Sequence, residues 1–253
     1  MGELLGKRAL VTGGAQGIGM AIARELLTRG CDVAVHYFTS RAGAGELMQF
    51  ATRYGRRCEG FAGDLTRTEE CERVVRECTA YLGGLDILVN NAGDLVERRA
   101  LETVDDFYYQ RVMDVNMKSM VMVTCAAVPY LKLNKQSAIV NLSSLAGRKG
   151  GHAGSLVYAA AKGAVLAWTR GLAQELAGTG IRVNAVAPGL ILGSRFHDIH
   201  TTDASKRATI AGLPVGRAGT PEDVARAVAF LAAEYDGFIH GATLDINGGA
   251  YYG

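Results

Sequence analysis

Arg8-Ala9-Leu10-Val11-Thr12, followed at once by Gly13-Gly14-Ala15-Gln16-Gly17-Ile18-Gly19, reads as a short buried strand passing through a glycine-rich turn into a helix. The helix shows the spacing of an amphipathic face at Ile18, Ile22, Leu26 and Leu27. Glycines at the turn permit tight backbone geometry and let main chain approach a pyrophosphate. They also leave the N–H groups at the helix start free to favour an anion. That is dinucleotide-binding chemistry. The spacing is wider than Gly-x-Gly-x-x-Gly, so taken alone the segment serves equally as an ordinary strand-to-helix turn.

Further apolar runs at residues 33–35, 85–89, 138–140, 181–186 and 243–246 are separated by segments long enough for helices. Such alternation predicts a parallel sheet covered on both faces. Thr103-Val104-Asp105-Asp106 and Thr220-Pro221-Glu222-Asp223 carry capping-box spacing and mark two helix starts, the second with Pro at the first helical position. No repeat or Pro-rich linker divides the 253 residues, and a single α/β domain is expected. Residues 190–213 have the weakest pattern and are polar, with Arg195, His197, Asp198 and His200. Lying between a strand and a capped helix, they are expected to form a lid over a site.

A net charge of +2 with interleaved signs offers no nucleic-acid face, and no apolar stretch has the length of a membrane span. The N-terminus lacks an apolar signal region, so a cytoplasmic protein is expected. The cysteines (Cys31, Cys58, Cys71, Cys78 and Cys125) and the dispersed histidines have no metal-ligand spacing, and the cysteines read as reduced packing residues.

Tyr158-Ala159-Ala160-Ala161-Lys162 stacks a phenol and an ammonium on one face of a helix. A phenol titrates near pH ~10 and becomes a useful acid or base at neutrality only where a cation stabilises the phenolate. The spacing alone also fits an ordinary surface helix. It gains meaning from motifs that occur in order along the chain: residues 12–19, Asp64-Leu65, Asn90-Asn91-Ala92-Gly93, Asn116, Ser143-Ser144, Tyr158 with Lys162, Pro188-Gly189 and Asn247-Gly248-Gly249. Together they resemble the short-chain dehydrogenase/reductase family over nearly the whole chain. The 3-oxoacyl-(acyl-carrier-protein) reductase type is the most similar, through Val183-Asn184-Ala185-Val186-Ala187-Pro188-Gly189 and the Gly-Gly-Ala-Tyr-Tyr ending.

The resemblance implies a Rossmann-type, doubly wound sheet of about seven strands. It makes Tyr158 the general acid for carbonyl reduction and the base for alcohol oxidation. Lys162 is to depress the tyrosine pKa and hold the nicotinamide ribose, Ser144 is to bond the substrate oxygen, and Asn116 is to hold a water linked to the lysine. Ser143 is to support the strand end. The residues expected at the cofactor are Gly13, Gln16, Gly17, Ile18, Gly19, Tyr37, Thr39, Ser40, Arg41, Asp64, Leu65, Asn91, Ala92, Gly93, Pro188, Gly189 and Ile191, with Tyr158 and Lys162; Asn90 is expected to line the same crevice. Asp64 is to meet the adenine amino group. Relatives usually place Thr where this chain has Gly193, and Ser194 is the nearest hydroxyl. Arg148-Lys149-Gly150-Gly151-His152 is expected to shape the substrate pocket differently.

An acidic residue at the end of the second strand would repel a 2′-phosphate, and residues 36–41 contain none. Thr39, Ser40 and Arg41 offer hydroxyls, backbone donors and a guanidinium, so NADP(H) is the predicted cofactor, with NAD(H) as the alternative. Arg41 reads equally as a solvated helix start. The predicted activity is NADPH-dependent reduction of a ketone, first a 3-oxoacyl thioester on acyl-carrier protein or coenzyme A. A sugar, polyol or other small ketone is the second reading, and a non-catalytic nucleotide-binding regulator is a third. Relatives pair the helix after Thr103 and the helix of Tyr158, then join dimers through the last strand, so the resemblance implies a homotetramer. The face of Trp168, Leu172 and Leu176 fits either an interface or the core.

Overall fold

Side chains alternate between the two faces of a strand, and in this sheet both faces are covered. The computed structural model describes residues 4–193, 195–233 and 237–253, without the side chains of Arg195, Phe196 and His197. The strands are β1 (Arg8–Val11), β2 (Asp32–Tyr37), β3 (Cys58–Ala62), β4 (Ile87–Asn90), β5 (Ser137–Leu142), β6 (Ile181–Pro188) and β7 (Thr243–Ile246). The helices are α1 (Gly17–Thr28), α2 (Arg41–Thr52), α3 (Thr68–Leu82), α4 (Asp106–Met113), α5 (Ser119–Leu131), α6 (Leu145–Lys149), α7 (Leu156–Glu175), α8 (Arg195–His200), α9 (Asp203–Ala211) and α10 (Pro221–Ala232).

The strands run parallel in one sheet, in the order β3-β2-β1-β4-β5-β6-β7. Ala9, Val11, Val33 and Val35 point to the face covered by α1, α2 and α10. Leu10, Ala34 and Leu88 point to the face covered by α3, α5 and α7, where Leu176 is buried and Leu172 packs. Trp168 is half-buried. Burial on both faces explains why most strands read as continuous apolar runs. β3 breaks the pattern: Cys58-Glu59-Gly60-Phe61-Ala62 is an edge strand, partly buried beyond Cys58, and has no apolar run to reveal it.

β1 pairs with β2 on one side and β4 on the other, so the strand order reverses there and a crevice opens beyond the carboxyl ends. At the opposite end of the strands Arg8 clamps the two halves. Its Nε and Nη2 donate to the Asp86 carboxylate at 2.7 and 3.1 Å, and its main-chain N–H donates to the same group at 2.9 Å.

Three sequence expectations need correction. The first predicted cap is two residues early: Thr103 closes a short 3-10 turn, and α4 is capped by Asp105, whose carboxylate accepts the Tyr108 N–H at 2.7 Å. Asp105 competes successfully because its charge also meets Arg99 at 2.9 Å. At α10 the Asp223 carboxylate accepts the Thr220 N–H at 2.9 Å, as the spacing predicts. Residues 190–213 are not patternless, since they contain α8 and α9, the latter started by Thr202. No residue of α9 is buried, so that helix carries no apolar stripe from which its period could be read. Cys31, Cys58, Cys71 and Cys78 are buried free thiols, whereas Cys125 is exposed on α5 and is not a packing residue.

Asp86→Ala would leave Arg8 Nε and the main-chain N–H without their acceptor and remove the guanidinium's counter-charge, while Gly83 and Asn134 still accept from its Nη atoms. Destabilisation by about 2 kcal/mol is expected, read as a lower urea midpoint at unchanged slope; an unchanged midpoint would remove the clamp from the account.

Candidate active site

The turn after β1 and the loop after β4 are knitted together before any side chain chemistry is added. Gly13 has φ +60°, a left-handed conformation open to glycine. Asn91 donates through Nδ2 to the carbonyls of Thr12 and Gly13 at 2.9 and 3.0 Å. In return the Thr12 hydroxyl accepts the N–H groups of Asn91 and Ala92, both at 3.0 Å. Asn91 is therefore a crevice residue, whereas Asn90 is not. Asn90 is buried and donates to Thr124 and Asn141 at 3.0 and 2.9 Å, because alternation along β4 turns it into the layer beneath.

His36 is a component that motif reading missed. It is buried near the end of β2, its Nδ1 accepts the Gly13 N–H at 3.2 Å, and its Nε2 faces the Gly63 carbonyl at 3.0 Å. These partners require the proton on Nε2. One imidazole thus joins the glycine turn to the loop after β3. Burial is the main cause that lowers its pKa; the hydrogen bond to Gly63 opposes this, the Arg73 charge lowers it further, and Asp64 opposes. The available signal was its position in the inward register of β2, one residue before Tyr37.

Two adjoining cavities share Gly13, Gln16, Ala92 and Gly93. The first also gathers Gly17, Ile18, Gly19, Asn91, Ser143, Ser144, Tyr158, Lys162, Pro188, Gly189 and Ile191. The second, of about 700 Å³, crosses the ends of β2 and β3 past Tyr37, Thr39, Ser40, Asp64 and Leu65. Nearly every residue expected at the cofactor therefore lines one crevice. The exception is Arg41, which starts α2, is exposed and lines neither cavity. Ser40 donates to Gln16 Oε1 at 2.8 Å. Asp64 accepts both the N–H and the hydroxyl of Thr66 through Oδ1, at 3.0 and 2.7 Å. The crevice fits an extended dinucleotide. Gly93 in particular keeps its floor open, since a Cβ there would lie 2.7 Å from Asn116 Oδ1 and 2.9 Å from Lys162 Nζ.

At the inner end of the crevice, Ser144 caps α6 by accepting the Ala146 N–H at 3.1 Å, and its side chain hydrogen-bonds the Tyr158 phenol. Ser143 donates to the Lys162 carbonyl at 2.7 Å, tying the end of β5 to α7. Lys162 is almost wholly buried; its Nζ donates to the Leu142 carbonyl at 3.0 Å and lies 5.8 Å from the centre of the Tyr158 ring. Burial pushes the phenol up to about 12, the Asp94 charge adds to that, and Ser144 pulls against it. Burial also brings Lys162 down to about 8. The downward pull on the tyrosine expected from Lys162 is not seen: burial sets the phenol's shift, and the ammonium, 5.8 Å from the ring centre, is bonded to the Leu142 carbonyl.

Asn116 does not lie in a regular α-helix. It sits in a π-helical turn, Asp114–Lys118, between α4 and α5, a distortion found mostly at functional sites. Its Nδ2 donates to the Asp94 and Val112 carbonyls at 2.6 and 2.9 Å, and its Oδ1 accepts the Asp94 N–H at 3.1 Å. The extra residue of the turn holds the loop after β4 at this height. In that loop Val96 has φ +68°, an uncommon conformation for a β-branched residue, and lines the larger cavity. Gly193 has φ +81° and provides no hydroxyl; Ser194 lies outside the described residues.

The profile of the family described as enoyl-(acyl carrier protein) reductase matches residues 13–251. The 3-oxoacyl-(acyl-carrier-protein) reductase of Vibrio cholerae is 38% identical over 249 residues, covering 98% of this chain and 99% of the relative. Among solved structures, an NADH-dependent reductase, A1-R′, responsible for alginate metabolism, superposes with a TM-score of 0.91 at 36% identity, covering 99% of each chain. A short chain dehydrogenase from Burkholderia cenocepacia in complex with NADP gives 0.91 at 34% identity, covering 98% of this chain and 99% of that one.

The His36 bridge has a pH signature. Below the ordinary value of 6.5 the unfolded chain takes up a proton that the folded imidazole resists, so stability falls as pH drops through that value. His36→Ala is expected to flatten this slope and to weaken NADPH binding about tenfold. Urea titrations at several pH values and a fluorescence binding isotherm check both; an unchanged slope and affinity would exclude the bridge from cofactor positioning.

Proposed function

The chain belongs to the short-chain dehydrogenase/reductase family, and we propose on that basis that it is an NADPH-dependent carbonyl reductase. A 3-oxoacyl thioester is the first substrate. The observation that carries this reading is the cluster of Ser144, Tyr158 and Lys162 at one end of a crevice whose other end is the glycine turn. When bound, NADPH supplies a hydride to the carbonyl carbon. Ser144 and Tyr158, already hydrogen-bonded to each other, turn to the carbonyl oxygen and hold the charge that develops on it.

A phenol raised to about 12 by burial holds its proton at neutral pH, so the acid form is the one present when a carbonyl substrate arrives. Tyr158 passes that proton to the oxygen and leaves a phenolate. Lys162, at about 8, is an ammonium at pH 7 and stabilises that phenolate across the ring. Asn116 and Lys162 converge beside Gly93, a suitable place for a water that returns the proton.

The cofactor preference rests on charge. No carboxylate occupies residues 36–41, so the wall past Tyr37, Thr39 and Ser40 accepts a 2′-phosphate, and the exposed Arg41, next in the chain at the start of α2, is the nearest guanidinium in sequence to that wall. NAD(H) remains the alternative, since A1-R′ is NADH-dependent at comparable identity. A small ketone or sugar-derived carbonyl is the second substrate reading, supported by that same relative and by the small cavity beside Tyr158. The segment at 190–213 acts as the lid.

We take the protein to be cytoplasmic and homotetrameric. Phe107 and Tyr109 on α4, Leu156 on α7, and Phe238, 93% exposed ahead of β7, supply apolar surface on the elements that such pairing uses. The buried Trp168 N–H on α7 has no partner among the described residues, which suits the same face.

NADPH absorbance followed across ketones and acyl thioesters tests the activity; cofactor binding without any turnover would favour a regulatory protein. Tyr158→Phe is expected to lower kcat by at least about 10²-fold with NADPH affinity nearly intact; substantial residual kcat would assign the acid elsewhere. Arg41→Ala is expected to raise KM for NADPH by about fivefold or more, with little effect on NADH. Equal effects on the two would remove Arg41 from phosphate recognition.

A further inference from the structure

Beyond Tyr158 and Ser144 lies a cavity of about 110 Å³, walled by Leu95, Leu145 and Leu190 and fringed by Arg98 and Lys149. No Asp or Glu lines it. The two cations come from the sequence doublets Arg98-Arg99 and Arg148-Lys149, and each doublet divides in the same way. Arg99 is paired with Glu97 and Asp105 at 2.6 and 2.9 Å. Arg148 is paired with Asp245 at 3.0 Å. Arg98 and Lys149, the members that reach the cavity, have no carboxylate partner among the described residues.

Arg98 is nevertheless held in place. Its Nε donates to the His200 carbonyl at the end of α8, at 3.0 Å, and its Nη1 to the Ala153 carbonyl at 2.9 Å. Main-chain carbonyls orient a guanidinium without cancelling its charge. Lys149 ends α6, five residues after Ser144. At 1.5 Å rise per residue its Cα stands roughly 7 Å along the helix from the serine that faces the substrate oxygen. An apolar pocket fringed by two cations that have no carboxylate partner among the described residues fits a short carbon chain with an anion at its far end.

We propose that the carbonyl substrate carries a carboxylate a few bonds from the reacting carbon, and that Lys149 and Arg98 hold it. This rests on the carbonyl-reductase reading, takes its small-ketone branch over the thioester, and narrows that branch to oxo acids. A phosphate on a pantetheine arm has the same charge chemistry but lies too many bonds from its thioester for this pocket.

The test compares 4-, 5- and 6-oxo acids with their methyl esters, alongside the neutral N-acetylcysteamine thioester and the coenzyme A thioester of acetoacetate, all with NADPH. Expected is a kcat/KM at least about tenfold higher for one acid than for its ester, carried by KM and weakened by added salt. Lys149→Met should cut that acid-to-ester preference about tenfold and Lys149→Arg should restore it. Acids and esters reduced equally, or a variant that affects both alike, would overturn the proposal. Reduction of the thioesters alone would also overturn it while leaving the reductase reading intact. No reduction of any carbonyl despite NADPH binding would overturn both.

Discussion

A buried ammonium is the constraint around which the site is organised. Lys162 is taken out of water on α7, and its ammonium donates to the carbonyl of Leu142 at the end of β5. Burial costs the charged form, and it is tolerable only because neighbouring elements are fixed to receive it. Ser143 ties β5 to the carbonyl of the same lysine, Gly93 leaves room above Nζ, and the π-helical turn of Asn116 holds the loop that carries Gly93. Replacing the small residue at 93 would bring a side chain against both Asn116 and Lys162.

The same desolvation decides the state of the acid. Sequence reasoning pairs the phenol with the ammonium and expects a lowered pKa, yet burial acts on both groups and drives each toward its neutral form. The phenol is therefore in its acid form beside Ser144, ready to protonate a substrate oxygen once the phenolate it leaves is stabilised. Coupling to a phenolate appears only once that proton has left.

Much of the fold is legible in the sequence because the sheet is covered on both faces. Strands such as residues 9–11 and 87–89 must be apolar throughout, and the glycine turn fixes where they lead. β3 hides because an edge strand can afford Glu59 and Gly60, and α9 hides because it buries no residue and so needs no apolar stripe. The motif positions converge on one crevice, but their bonding is set by register. Alternation gives the crevice Asn91 and the core Asn90, and it turns His36 inward to the glycine turn. No pattern in a single sequence distinguishes Arg98 from Arg99, or Arg148 from Lys149; only the fold tells which cation finds a carboxylate.

The most direct test of the central claim is a crystal structure of the ternary complex with the oxidised cofactor and a bound alcohol or ketone. The account predicts the carbonyl oxygen between Ser144 Oγ and the Tyr158 hydroxyl, the reacting carbon about 3–3.5 Å from the nicotinamide ring, and Lys162 Nζ at the ribose beside the tyrosine. A nicotinamide seated away from Tyr158, or a Lys162 turned from both the ribose and the phenol, would contradict it.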